Sequence, residues 1–563
     1  LEHVSMTLPV GGDAGEVLTL GGRWAKEFRV DRQPWSHGGF VVENRRGRTS
    51  HDHFPFMAVG GRGFDESTGS VWAAHLGWSG NTSLRVDRTA DGRRYLQAGE
   101  LLAPGEVVLE PGGTYRSPPL YAAASGGGLN GIRQSFHALL RSRPAHPVTA
   151  RPVLLNTWEA VYFDHDLDTL LALADRAAEV GVERFVLDDG WFHGRRDDSA
   201  GLGDWWVDDR VWPDGLEPLI SHVKRRGMEF GIWVEPEMVN PDSDLYRTHP
   251  EWVLNDHRYE PVLGRRQLVL DVAEPDVSEY LFDHLDRLLT DHDVDYVKWD
   301  MNRDLVHATH QGRAGVHRQT LAVYALIDRL RAANPDVEIE SCSSGGGRAD
   351  YGILERTDRV WTSDCNDALD RIDIQYGAAL LLPPELTGIH IGPPRSHTTG
   401  RTHRLDLRAT VAFFGHLGIE WNLLEASREE LEDLSRAIAL HKEHRGLLHS
   451  GRTVALDHSD PAVSANGVIA ADRSEALIAV VQLHSSDALA VAPLTLPGLD
   501  PDRTYRVELL ALGRSPLGMA YAHPSWVNDG IDLTGRMLAM AGLPLPIMLP
   551  ESARLIHVEA VGP

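Results

Sequence analysis

Hydrophobic positions follow three rhythms along the chain. Up to about residue 125, apolar and polar residues alternate in short runs such as GEVLTLGG, WAKEFRV, GGFVVENRRGR and SLRVDRTADGRRYLQAGE. Alternation at period two turns one strand face to a core and the other to solvent. The Gly-Gly and Asp-Gly breaks suit tight turns, so this region predicts antiparallel strands in a sandwich. Trp24, Trp35, Trp72 and Trp78 read as its core or interface residues. From residue 152 short apolar runs alternate with helical spacing. PVLLNTW precedes apolar positions at Leu167, Leu170, Leu171, Ala174 and Ala178, a helix face that stops at Gly181. ERFVLDDGWF, EFGIWVEPEMV, YVKWDMN, EIESCSSGGGR and DRVWTSD then read as strands. Helical spacing falls between them at LEPLISHVKRRG, DVSEYLFDHLDRLLTD and HRQTLAVYALIDRLRAANP, while TGIHIGPPR and HLGIEWNL are less regular turns of the same repeat. About eight strand–helix alternations over nearly 300 residues favour a (β/α)8 barrel over an open doubly wound sheet. After residue 447 strand patterns return in GRTVALDH, GVIAADRS, ALIAVVQLH, YRVELLALG and ARLIHVEAV. The rhythms divide the chain into an N-terminal β-sandwich (1–125), a linker helix and connector (126–150), the barrel (151–446) and a C-terminal antiparallel β-sandwich (447–563).

One motif is a decoy. Gly126-Gly127-Gly128-Leu129-Asn130-Gly131 fits the G-x-G-x-x-G of dinucleotide sites and opens a helix, IRQSFHALLR. No βαβ unit continues from it and no acidic residue stands where a ribose needs one; the proline-broken connector RSRPAHPVTARP follows instead. His51 and His53 in HDHF lack the further partners of a metal site and read as structural.

Composition narrows the picture. A length of 563 residues exceeds one compact core, and 42% hydrophobic with 24% charged residues is ordinary for a soluble protein. A formal charge of −26 argues against nucleic acid or an anionic membrane as partner. Two cysteines, Cys342 and Cys365, form no disulfide framework and suggest a reducing compartment. No apolar run is long enough to span a bilayer and no signal peptide is present, so a cytoplasmic location is expected. The chain begins at Leu1 in strand-like sequence, and missing upstream sequence is expected.

In a barrel of this kind the C-terminal ends of the strands line the active site. Those ends carry Trp158; Asp188 and Asp189; Trp233, Glu235 and Glu237; Lys298, Asp300 and Asn302; Cys342 with its glycine run; and Asp364. Lys298 and Asp300 are two residues apart and share a strand face, a costly arrangement in an apolar run unless they support each other or meet a ligand. No HExxH, clustered histidine, phosphate loop or G-x-S-x-G accompanies them, and the lysine argues against an all-oxygen metal site; neither metal nor cofactor is expected. Carboxylates among tryptophans suit a sugar, and two acids can break a glycosidic bond. Asp300 and Asp364 are the candidates. Asp367 competes for the second role, but it precedes ALDRI with Arg371 four positions on and reads as a helix cap with a helical pair. Glu235 and Glu237 flank a proline and read as loop anchors, and the competing role of Asp188 is a structural pair with Arg184 or another cation.

LDDGWF, WVEPEMV, GRRQLVLD, YVKWDMNRD, ESCSSGGGRADYG and RVWTSDCNDALDRIDIQYG together resemble glycoside hydrolase family 36, the bacterial-type α-galactosidases, over about residues 150–445 and more loosely beyond. The resemblance implies a multidomain protein with a partial N-terminal β-supersandwich, a catalytic (β/α)8 TIM barrel and a C-terminal antiparallel β-sandwich. It implies Asp300 as nucleophile and Asp364 as acid/base, with Asp188 and Asp189 binding the galactose 4- and 6-hydroxyls beside Trp233. Arg265, Lys298, Asn302, Cys342 and the following glycines, Gly345 among them, match further sugar contacts, and Trp158 an aromatic at the rim. Two departures stand out: Cys365-Asn366 replaces the Asn-Thr common after the acid/base, and Arg265-Arg266-Gln267 replaces Arg-Asn-Gln. The implied activity is retaining, exo-acting hydrolysis of terminal α-galactosyl residues from oligosaccharides such as melibiose and raffinose, without cofactor, in a homo-oligomer that the resemblance suggests is a tetramer. An α-N-acetylgalactosaminidase and a galactosyl-transferring synthase share the scaffold and stay open. A non-catalytic carbohydrate-binding protein is disfavoured because both acids are present.

Overall fold

The computed structural model describes residues 1–563 apart from 2, 257, 489–490, 514–522 and 563. Eight parallel strands close into a barrel: β1 Leu154–Asn156, β2 Arg184–Leu187, β3 Glu229–Val234, β4 Tyr296–Trp299, β5 Glu338–Ser341, β6 Arg359–Trp361, β7 Thr387–Ile391 and β8 His416–Ile419. The ring closes where Leu154 and Leu155 of β1 pair with Gly418 and Ile419 of β8. Helices Leu167–Val180, Glu217–Arg225, Pro275–Asp291 and Val316–Ala333 follow the first four strands. Ala368–Ala378, Leu405–Ala412 and Arg428–Leu448 follow the last three, and after β5 a short 3-10 turn, Ile353–Glu355, takes the helix's place. The first of these shows how local sequence sets the ends. Asp166 accepts the Thr169 amide at the N-cap, Leu170, Leu173, Ala174 and Ala177 are buried, and Gly181 closes the helix in the left-handed region at φ 101°.

The irregular stretches TGIHIGPPR and HLGIEWNL form β7 and β8, and their glycines explain the weak strand signal. A Cβ on Gly418 would lie 2.3 Å from the His390 ring, and one on Gly231 in β3 would lie 2.8 Å from Tyr296. Large polar and aromatic side chains thus occupy the barrel interior, and neighbouring strands yield space to them. Below the mouth the interior is charged but paired. Arg184 bridges Glu229 at 2.6 Å and Glu338 at 2.8 Å with its guanidinium over Tyr296, and Arg359 pairs with Glu340 and lies 2.7 Å from His390 Nε2. Pairing is what makes such burial tolerable.

The N-terminal region is a sandwich. One sheet orders His3–Pro9, Arg94–Leu101, Thr82–Arg88 and Gly38–Asn44; the other orders Lys26–Pro34, Glu16–Arg23, His53–Gly60, Val71–Leu76 and Leu120–Ser125. The second sheet is buried on both faces. Val17, Met57 and Val59 meet the first sheet, whereas Leu18, Phe54, Phe56 and Ala58 meet the helix Gly128–Arg141 and barrel residues such as Val360 and Ile374. That is why HFPFMAVG is nearly continuous in its apolar run. The glycine-rich decoy serves packing. Gly128 takes φ +62°, a Cβ there would lie 2.4 Å from the Asp65 carbonyl, and the amides of Leu129 and Asn130 donate to the carbonyls of Asp65 and Glu66 at 3.0 and 2.8 Å. The C-terminal region carries a six-stranded antiparallel sheet, Arg452–Leu456, Val463–Ile469, Glu475–Gln482, Ser552–Ala560, Thr504–Leu510 and Ile531–Thr534 in spatial order. Among the described residues no helix is long and apolar enough to cross a membrane.

Candidate active site

Strand β4 delivers Lys298 and, just past its end, Asp300 to the barrel mouth. There they line a cavity of about 770 Å³ together with Trp158, Asp188, Asp189, Trp233, Arg265, Asn302 and Asp364. Nine of the eleven site residues expected from the sequence therefore meet in one place. Cys342 and Gly345 do not line it. Gly345 backs it instead: with φ +74°, its Cβ would lie 2.7 Å from the Asp364 amide, so glycine lets the loop after β5 pass behind Asp364.

Asp300 is surrounded by donors. Its Oδ1 accepts the amides of Met301 at 2.8 Å and Ser344 at 3.2 Å, and its Oδ2 accepts the Asn302 side-chain amide at 2.7 Å and the Trp233 indole at 3.2 Å. Burial pushes its pKa up, but the Lys298 charge and the Asn302, Cys342 and backbone donors outweigh burial and hold it below its ordinary value. Lys298 does this through space, for its Nζ bonds Asp188 Oδ2 across the barrel at 2.8 Å. Asp188 also accepts from Asn156 at 2.7 Å, while Arg184 is occupied at the barrel floor, so the cation paired with Asp188 is Lys298 and not Arg184. Arg195 grips Asp189 through both oxygens at 2.9 and 2.8 Å.

Asp364 has the opposite environment. Burial and then the charge of Asp300 raise its pKa, against the Trp24 hydrogen bond. Each oxygen accepts one indole N–H, Oδ1 from Trp361 at 2.9 Å and Oδ2 from Trp24 at 2.8 Å. Asp367 caps the helix Ala368–Ala378 through the amides of Leu369 and Asp370 and binds Arg401 at 2.8 Å. The expected Asp367–Arg371 helical pair is not the arrangement formed: Arg371 turns back to the carbonyls of Cys365 and Ser363 at 2.5 and 2.7 Å. With the Thr362 hydroxyl at 2.9 Å as a third acceptor, each of the three guanidinium nitrogens has its own partner, which one carboxylate with two oxygens cannot supply. Glu235 accepts Gln267 at 2.7 Å and the Asn302 amide at 2.5 Å, and Glu237 accepts the Trp299 indole at 2.9 Å, so both do anchor loops. Arg265 and Arg266 take φ +50° and +59° in a tight turn closed by reciprocal Gly264–Gln267 backbone bonds. Two consecutive left-handed residues suit a primed turn, which favours asparagine where Arg266 stands.

Several cavity residues have no local sequence signal. Trp24, Arg48 and His51 come from the N-terminal sandwich; Glu159 and Glu420 follow β1 and β8; Arg195 sits in the loop after β2. His51 lies 2.8 Å from the Ser344 carbonyl. Burial, then Glu420, raises the pKa of Glu159 well above its ordinary value. Among the described residues, the two groups with metal-ligand geometry, Asp271–Glu274–His310 and His444–Glu475–His557, include no residue of the cavity wall.

A parallel barrel whose mouth holds an ionised acid, a second acid of raised pKa and tryptophan walls defines the class of a carbohydrate-cleaving glycosidase. The family model for melibiase matches residues 114–451, flanked by the glycosyl hydrolase family 36 N-terminal domain over 1–110 and the family's C-terminal domain over 463–558. An alpha-galactosidase of Escherichia coli is 47% identical over 99% of this chain and 80% of its own length. Alpha-galactosidase AgaA of Geobacillus stearothermophilus is 36% identical over 96% and 76%. A solved structure of an AgaA variant in complex with raffinose superposes with a TM-score of 0.91 at 33% identity, covering 99% of this chain and 76% of that one. A second AgaA variant, in complex with stachyose, gives 0.89 at 34% identity with the same coverage. The chain belongs to glycosyl hydrolase family 36, as the sequence motifs led one to expect.

Proposed function

We propose that the chain is a retaining, exo-acting α-galactosidase that removes terminal α-galactosyl residues from oligosaccharides such as raffinose and melibiose. The observation that carries the mechanism is the opposite bias of two acids in one cavity: Asp300 is held ionised and Asp364 is biased toward the proton-bearing form. Asp300 attacks the anomeric carbon while Asp364 gives its proton to the leaving oxygen. Asp364 then takes a proton from water, which attacks the glycosyl-enzyme and frees galactose as the α-anomer. Asp188, Asp189, Lys298 and Arg265 supply charged partners for sugar hydroxyls, Asn302 lines the cavity beside Asp300, Cys342 and Gly345 support Asp300 and Asp364 from behind it, and Trp233 and Trp158 supply apolar walls. The paired charges beneath the mouth close the barrel, which suits capture of a chain end. The raffinose and stachyose complexes of similar enzymes support this substrate class. A cytoplasmic location fits the reading, since two buried, unpaired cysteines suit a reducing compartment.

Azide rescue tests both roles at once. Asp300→Gly with azide should yield the β-galactosyl azide, because the anion replaces the nucleophile. Asp364→Gly with an activated aryl galactoside should accumulate glycosyl-enzyme and yield the α-galactosyl azide. Wild-type enzyme should release α-galactose first by NMR. Initial β-galactose, or rescue at Asp367→Gly with Asp364→Gly behaving as wild type, overturns the assignment.

A further inference from the structure

We propose that Trp24 of the N-terminal hairpin is a positioning residue that holds the Asp364 carboxylate through its indole N–H and releases it to the leaving-group oxygen when substrate enters. The proposal rests on Asp364 being the acid/base.

Both Asp364 oxygens are taken by indole donors, but the two indoles differ in freedom. Trp361 is 1% exposed, with the His390 ring at 4.1 Å and the Arg371 guanidinium at 4.5 Å from its ring. Trp24 is 51% exposed and stands at the cavity wall. A general acid must present one oxygen to the glycosidic oxygen. Oδ1 is committed to the buried Trp361, so Oδ2 is the oxygen available, and Trp24 covers it.

The hairpin backbone cannot carry the motion. Gly22 approaches so closely that a Cβ would lie 2.0 Å from the Lys26 carbonyl. Lys26 bridges Asp370 at 2.7 Å, Glu27 accepts Ser363 Oγ at 2.5 Å, and the Ala25 amide bonds the other Glu27 oxygen at 3.1 Å. The chain flanking Trp24 is thereby pinned to the loop that bears Asp364, which leaves the exposed indole as the part able to turn. An N–H donor favours a carboxylate over a carboxylic acid, so the indole contact favours the ionised form and its displacement favours protonation. The acid is then armed by the arrival of the group it must protonate.

The other charged and titratable groups acting on Asp364 are Asp300 and Lys298 from β4, Cys342 after β5, Arg265 from its turn, Arg371 from the helix after β6, Glu159 after β1, and Glu27 and His51 from the sandwich. Trp24→Phe changes none of their charges. The alkaline limb of kcat/KM reports the acid of the free enzyme, whereas that of kcat reports the complex. On raffinose, Trp24→Phe should move the kcat/KM limb up by about half to one pH unit and leave the kcat limb in place. Trp24→Gln, which restores an N–H donor, should return it toward wild type. Trp24→Leu also lacks the donor and gives the same readout if the Phe variant does not fold. An unmoved kcat/KM limb, or equal movement of both limbs, overturns the proposal. Failure of azide rescue at Asp364→Gly would instead remove the acid/base assignment, whatever the Trp24 profiles show.

Discussion

Lys298 takes its meaning from what faces it. Spacing along β4 puts its ammonium on the side of Asp300, yet its hydrogen bond goes to Asp188, just past the end of β2. One buried cation therefore serves two carboxylates. Lys298→Met would leave Asp188 buried without its cation and weaken the bias that keeps Asp300 ionised. The expected outcome is a fall in kcat/KM on nitrophenyl α-galactoside of about a thousandfold or more, with the far-UV spectrum unchanged. Activity near wild type would reduce Lys298 to a structural pair. Asp300, Asp364 and Lys298 were legible in the sequence because a charge at the end of an apolar strand is costly and repeats at the same point of each unit. Arg195 was not legible, since nothing in a loop rich in charge marks which cation will meet Asp189.

At the level of elements, the linker helix joins three regions. Asn130, the fifth residue of the false nucleotide motif, donates to the Ala455 carbonyl at 2.9 Å and accepts the Ala455 amide at 3.0 Å, a two-bond clasp on the first strand of the C-terminal sheet. Asn130→Ala would strand two buried backbone groups, and a loss of about 2–4 kcal/mol of stability is expected. Thermal unfolding should show a lowered midpoint, with the C-terminal sheet becoming protease-sensitive first; an unchanged midpoint would mean the clasp contributes nothing. The end of the first barrel helix was readable from its glycine, Gly181. Strands β7 and β8 were harder, because interior glycines that make room for Arg359 and His390 erase the β-branched run a strand ordinarily shows.

At the level of the whole molecule, buried titratable groups set how stability follows pH. Burial, as the leading cause, holds the pKa of His75, His137 and His165 at about 3 in the fold, from an ordinary 6.5. The unfolded chain binds more protons than the fold between those values, so these groups add stability as pH rises from 3 to 6.5. Glu27 and Glu235 run the other way: burial raises both to about 7 from 4.5, so the fold binds more protons and stability falls as pH rises from 4.5 to 7. The three histidines outweigh the two glutamates up to 6.5, and above it only the glutamates still titrate. The melting temperature should therefore climb from acid pH and peak at about pH 6–7. A scan peaking near pH 4.5 would contradict this ordering.

Periodicity favoured the barrel over an open sheet, because period two and period 3.6 are local properties that most of its strands and helices carry in their own residues. The long motifs around Asp300 and Asp364 likewise carried the family. Tertiary structure decided what meets across the mouth. Trp24 reaches Asp364 from 340 residues away along the chain, Lys298 crosses to Asp188, and Arg371 abandons its helical neighbour Asp367 for the loop behind it. Such contacts depend on how the sandwich seats against the barrel and on which charges burial forces together, and neither leaves a pattern in any short window of sequence.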